Sequence, residues 1–180
     1  TGTLAGQVGG FSNQAARLGL TEPHVAQLLE LSYQIASDAA QEPTRLAACL
    51  ADPRPTPDCV RGFVEAFAGG AFRRDLAAAE ADALVMQHAR TLAGGDARAA
   101  LRQLVMAVLT SPNTLFRTEL GPEGAPAGGV VTLTPFERAS ALSYFLTDGP
   151  PDAELLAAAR AGALERQEQL AAHTRRLLAR

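Results

Sequence analysis

Apolar residues recur along this chain at helical rather than strand spacing. After Thr21, a residue suited to an N-cap and followed by Pro23 in the first turn, Val25, Leu28, Leu29, Ser32, Ile35, Ala36 and Ala39 mark one helix face. Thr56 and Pro57 open a second helix, with Val60, Phe63, Val64 and Phe67 turned inward and Gly69-Gly70 predicting its end. A third is predicted from Ala77 to Ala93, with Leu84, Val85, His88 and Leu92 on one face, ending at Gly94-Gly95. Asp96 caps a fourth, striped by Leu101, Leu104, Val105, Val108 and Leu109 and broken by Pro112. Thr134-Pro135-Phe136-Glu137 reads as a capping box that starts a helix running to Leu146 and ending at Asp148-Gly149-Pro150. Two more follow, at about Pro151–Ala161 and Leu164–Arg180.

Alternation of period two is confined to Val130-Val131-Thr132-Leu133. The pattern therefore predicts an all-α fold of orthogonally packed helices. Gly121 to Gly129 holds four Gly and two Pro and reads as a surface loop, whereas residues 1–12 read as an irregular lead-in. The expected organisation is a helical domain over 1–120, a linker loop over 121–133 and the start of a following helical domain over 134–180.

Composition narrows the function classes. The chain has 180 residues, 47% of them hydrophobic, and a net charge of −3, which speaks against a strongly basic nucleic-acid module. Lysine is absent, so all sixteen basic residues are Arg, a usage that together with abundant Ala reads as codon bias of a high-GC bacterium. There is no run of apolar residues long enough to span a membrane. A start at Thr1 without Met suggests a processed, trimmed or cut chain.

Cys49 and Cys59 stand ten apart across a link with three prolines. Such a stiff loop can bring the two residues within disulfide reach. Two buried thiols, or a metal or redox pair, are the alternatives. The last is disfavoured because there is no Cys-x-x-Cys spacing and no nearby His. A disulfide would imply an oxidising compartment.

Gly10-Phe11-Ser12-Asn13-Gln14-Ala15 with the helix to Ala40 resembles the end of a domain of unknown function noted in secreted planctomycete and myxobacterial proteins. Cys49 to Leu120, with Phe72-Arg73-Arg74 and Ser111-Pro112-Asn113-Thr114-Leu115-Phe116-Arg117-Thr118-Glu119-Leu120, resembles the next domain of those proteins. Leu133 to Leu146, followed by Pro151-Asp152-Ala153-Glu154-Leu155-Leu156, resembles the start of a third. The resemblance implies tandem helical domains, often fused to a cytochrome c domain, and hence export and a redox setting. It supplies no catalytic residues. This chain departs from the family pattern with Asp75 in place of Pro, Ala77 in place of a Ser or Thr cap, and Thr147 where Trp is frequent. By the same resemblance the third domain would continue beyond Arg180 and the first would begin before Thr1.

Candidate chemistry is sparse. Arg73 and Arg74 could bind an anion, but a pair of this kind more often anchors a loop by pairing with carboxylates such as Glu80 or Glu119. Arg117, Glu119 and Glu137 read as an ion-pair network rather than an acid–base cluster, because no nucleophile is near them in sequence. His24, His88 and His173 are scattered, and His88 reads as a core or groove residue. Cys-x-x-Cys-His is absent, so haem c is expected only in a partner domain and no cofactor in this chain. Zincin, phosphate-loop and nucleophile-elbow motifs are also absent.

The expectation is a non-catalytic helical module of an exported, periplasmic or extracellular bacterial protein. It would pack against other domains or subunits, with Phe11, Leu170 and Leu177 facing them. The competing expectations are part of an oxidoreductase or other enzyme whose site lies in missing sequence, and a free-standing ligand-binding domain.

Overall fold

The computed structural model describes Gly19, residues 21–125 and residues 130–179. Among these residues the regular structure is helical throughout. The α-helices are α1 (Glu22–Gln41), α2 (Pro57–Phe72), α3 (Ala78–Leu92), α4 (Ala97–Leu109), the single turn α5 (Pro112–Leu115), α6 (Pro135–Thr147), α7 (Ala153–Arg160) and α8 (Gln167–Leu178). Short 3-10 turns at Pro43–Arg45, Ala48–Ala51 and Ala163–Glu165 bend the connections. The lead-in over residues 1–12, and with it Phe11, lies outside the described residues.

Helix α4 is the hub of the N-terminal half, because it packs on both α1 and α3 while α2 closes on α3. Leu104, Val105 and Val108, the stripe predicted for α4, are fully buried. Leu104 and Val105 meet Val60, Phe63 and Val64 of α2 and Ala81 of α3 in one cluster, and Val108 meets Ala68 and Phe72 of α2 in another. The rings of Phe63 and Phe67 stack with centroids 5.3 Å apart.

Helix α1 uses its predicted stripe only in part. Ser32, Ala36 and Ala40 are buried, whereas Val25, Leu29 and Ile35 are exposed. The small side chains let α1 and α4 approach closely. At about 1.5 Å per residue, α1 with its 20 residues also outruns α4 with its 13. Periodicity selected the apolar residues of α1, but not those the shorter partner can reach.

Helix α2 does not stop at Gly69-Gly70. It continues to Phe72 and ends with Arg73 in the left-handed region at φ 60°. The glycines instead serve the return of the chain. The Arg74 N–H donates to the Gly69 carbonyl at 3.1 Å, and a β-carbon on Gly69 would sit 3.4 Å from the Arg74 oxygen.

The C-terminal half has its own smaller core of Ala139, Leu155, Ala159, Leu164 and Leu177, enclosed by α6, α7 and α8. Asp152 caps α7 by accepting from the Leu155 N–H at 2.8 Å and also receives the Arg176 guanidinium of α8 at 2.6 Å. Arg138 of α6 donates to the Leu164 carbonyl at 3.0 Å. The expectation that Leu177 and Leu170 face a partner is corrected here. Leu177 is only 3% exposed and Leu170 packs against the same cluster. Both belong to the inner stripe of α8, and the residues that do stand out in this half are Phe145 and Leu178.

Candidate functional site

Both cysteines lie at the edge of the N-terminal core. Cys49 sits in a 3-10 turn, and Cys59 in the first turn of α2, where its N–H donates to the Thr56 hydroxyl at 3.2 Å. The two form a disulfide across a Cα separation of 6.1 Å. The bond staples α2 to the preceding segment. Disulfides persist in oxidising surroundings, which points to a non-cytoplasmic protein. Among the described residues no helix is long and apolar enough to cross a membrane.

The remaining candidate residues gather where the two halves meet. A cavity of about 310 Å³ opens there, lined by Arg73, Arg74, Arg117 and Glu137 together with Phe72 and Phe136. The left-handed turn at Arg73 costs roughly 1–2 kcal/mol for a residue with a β-carbon. It also aims the side chain at the C-terminal end of α5. There the guanidinium donates to the carbonyls of Asn113, Thr114 and Phe116, the last two at 3.1 and 2.8 Å, and it also reaches back to the Ala71 carbonyl of α2 at 3.0 Å. The first three are carbonyls that a single helical turn leaves unpaired, and a buried cation suits their dipoles.

Arg74 is engaged as a two-pronged pair. Its two terminal nitrogens reach the two oxygens of Glu80 at 2.7 and 2.8 Å, and its plane lies over the Phe72 ring. The hydrogen bond from Arg74 holds the Glu80 carboxyl below its ordinary pKa. Glu80 also accepts from the Ala77 N–H at 2.9 Å and so supplies one half of a capping box whose other half Ala77 has no side chain to make.

Glu137 takes no arginine. Its carboxylate accepts from the backbone N–H groups of Thr134 at 2.9 Å, Leu120 at 2.8 Å and Gly121 at 3.1 Å. The first is the reciprocal bond of the predicted capping box, and the other two tie the preceding loop to α6. Gly121 sits at φ 75°, and a β-carbon there would meet the Thr132 oxygen at 3.0 Å, so the two arms of the loop touch at a position that suits glycine. Arg117 lies 5.1 Å from the Tyr144 ring of α6 and 3.5 Å from Glu119, both as half-exposed contacts. The expected single network of Arg117, Glu119 and Glu137 is therefore split, because Glu137 is saturated by backbone donors.

Asp75 and Arg160 escaped the sequence reading as a pair. They pair across the two halves, with the Arg160 Nε 2.8 Å from Asp75. The signal was present as a departure, since Asp75 stands where the resembled domain carries Pro. Without the fold, however, nothing indicated its partner 85 positions away.

His88 is 3% exposed on α3, and burial pushes its pKa down. The other histidines stand apart from it. His24 accepts from the Thr21 N–H at 3.4 Å, and His173 lies near Glu154. No group of three or more metal-ligating side chains occurs among the described residues.

Two family models match the chain. Residues 59–119 match one described as a protein of unknown function (DUF1595), and residues 133–180 match another described as a protein of unknown function (DUF1592). The chain is thus similar to two domains of unknown function in tandem, the first spanning the disulfide's second cysteine to Glu119 and the second beginning just before the capping box. No curated protein and no solved structure shows a significant match.

Proposed function

We propose that this chain is a non-catalytic helical module of an exported bacterial protein, working in the periplasm or outside the cell. Its role is to pack against other domains or subunits of a redox assembly that carries haem c elsewhere. The observation that carries this reading is the state of the polar groups at the junction. Arg73 is spent on four carbonyls, Arg74 on Glu80, and Glu137 on three backbone N–H groups. Reactive sites keep such groups turned toward a substrate, whereas these are turned into the protein as anchors. Large apolar side chains meanwhile stand in solvent, Phe145 at 86% and Leu120 at 71% exposure. Side chains so exposed are available to a neighbouring domain or subunit.

The division at residues 121–133 belongs to the same proposal, and the separate cores on either side support it. Light scattering on the chain, with an absorbance spectrum of native material co-purified through it, tests the function. Association through the face that carries Phe145, with a Soret band in the co-purified material, is the expected result. A chain that stays monomeric at high concentration and brings no partner from its native source would overturn it.

A further inference from the structure

A second concavity, of about 570 Å³, lies away from the junction, between α2, α3 and the disulfide-closed loop. Pro53, Pro55 and Pro57 form one wall, and Val60, Val85 and Leu92 form the floor. The wall is stiff because proline fixes its own φ and the Cys49–Cys59 bond closes the loop from both ends. Such a groove keeps its shape without an occupant, which lowers the ordering cost of filling it.

Two polar groups converge on this apolar surface. One is His88, which lines the groove, is almost fully buried and receives no hydrogen bond from the described residues. Its ring nitrogens stay accessible while the rest of the side chain is covered, so the groove exposes the polar edge of the ring. The depressed pKa keeps it neutral near pH 7, so that it offers one donor and one acceptor. The other is Arg54 at the rim. Its backbone N–H is fixed by Asp52 at 2.8 Å, while its guanidinium forms no ion pair among the described residues. Arg73 and Arg74 at the junction are saturated, whereas Arg54 and His88 are both unspent.

From this pairing we infer that the groove is a binding site for a small carboxylic acid with an apolar body and a hydroxyl group. The carboxylate pairs with Arg54, the body lies on the prolines and Val85, and the hydroxyl bonds His88. An apolar cleft with a few convergent polar groups is the usual form of a small-molecule site. This goes beyond the packing role proposed above and does not depend on it.

NMR titration of the whole chain with para-hydroxybenzoate tests the assignment. The expected result is a saturable shift of His88, Val85 and Leu92 resonances, with benzoate about tenfold weaker because it leaves the imidazole unpaired. His88→Phe should lower the affinity for para-hydroxybenzoate to that for benzoate, and Arg54→Gln should weaken both. Ala89 is exposed beside the groove, so Ala89→Phe fills the space without disturbing the core and should abolish binding even where His88→Phe folds poorly. Absence of saturable shifts at these residues, or equal affinity in wild type and Ala89→Phe, would overturn the inference.

Discussion

The two halves of the molecule hold together by different means. The N-terminal half buries large side chains, among them Phe63, Leu101 and Leu104, around a central helix, and adds a covalent staple. The C-terminal half encloses a small core that includes two alanines and relies on polar locks, Arg176 to Asp152 and Arg138 to the Leu164 carbonyl. Both halves leave large apolar side chains in solvent, Phe145 and Leu178 at 86% and 65% exposure in the second, Leu120 and Ile35 at 71% and 55% in the first. The difference lies in what is buried, and a half with a smaller core and no staple has more to gain from a neighbour than one that is stapled shut. Between them the contacts are polar and partly exposed, namely Asp75–Arg160, Arg117–Tyr144 and the Glu137 bonds to the loop.

The sharpest way to break this comparison is to damage one core and watch the other. Leu104 and Leu155 are each 0% exposed, one in each core. Leu104→Ala should cost about 2.7–5 kcal/mol. If the halves unfold separately, hydrogen exchange will rise across α1–α4 and leave α6–α8 close to wild type. Leu155→Ala should give the mirror image. Uniform loss of protection in both variants would show one cooperative unit and dissolve the distinction between the halves.

Opening the staple is the next largest change. In the chain-entropy model a bond that closes a loop of this length stabilises by about 2–3 kcal/mol. Cys49→Ser with Cys59→Ser should therefore lower the melting temperature of the N-terminal half, and reductant should do the same to wild type. The C-terminal half, which has no part in the loop, should not respond. Two thiols freely alkylated in non-reduced native protein would remove the staple from the account.

Breaking the Arg74–Glu80 pair should cost less. Both side chains are about one-third exposed, so the pair is worth about 1 kcal/mol after allowing for solvent screening. Arg74→Ala should lower the melting temperature modestly. The pH dependence gives a second reading. The carboxyl of Glu80 is held below its ordinary pKa, so the ionised form favours the fold. That contribution is complete above the ordinary glutamate range and is lost as pH falls through the lowered value. Glu80→Gln should flatten this acid limb. An Arg74→Ala protein with unchanged melting and a lost small-molecule affinity would contradict the anchoring role.

What the sequence revealed was mostly local. The capping box at Thr134 and Glu137 spans three positions, and the disulfide joins positions ten apart across a proline-stiffened link, so the first could be read without a fold and the second expected ahead of its alternatives. The further duties of the same residues are not local. Glu137 also gathers the N–H groups of Leu120 and Gly121, 17 and 16 positions away, and Arg73 clamps carbonyls about 40 positions on. A left-handed arginine carries no sequence signal of its own, and Gly69-Gly70 drew attention to an end of α2 that the chain passes through. The exposure of Val25 and Leu29 was hidden for another reason. An apolar stripe states what can be buried, and the reach of the neighbouring helix decides how far along it that happens.

The smallest expected effect has the opposite sign. Ala77 occupies the N-cap of α3 with φ −64° and ψ 148°, the extended geometry that capping residues adopt. Its N–H is already bonded by Glu80, but the N–H of Glu80 has no cap oxygen to accept from it, because alanine ends at the β-carbon. The resembled domain carries Ser or Thr at this place. Ala77→Ser would complete the box by giving that N–H an acceptor, as Thr134 does for Glu137 at the start of α6 at 3.3 Å. The gain should be about 0.5–1 kcal/mol, since N-cap exchanges between Ser and Ala span roughly that range at exposed sites. Chemical denaturation should show it as a rise in midpoint at constant slope. Ala77→Gly, which has no hydroxyl, separates the capping oxygen from any backbone effect and should fall short of Ala77→Ser. An unchanged midpoint for Ala77→Ser would mean that the 3-10 contact from Glu80 to the Ala77 carbonyl, at 3.0 Å, already satisfies that N–H and leaves the hydroxyl nothing to add.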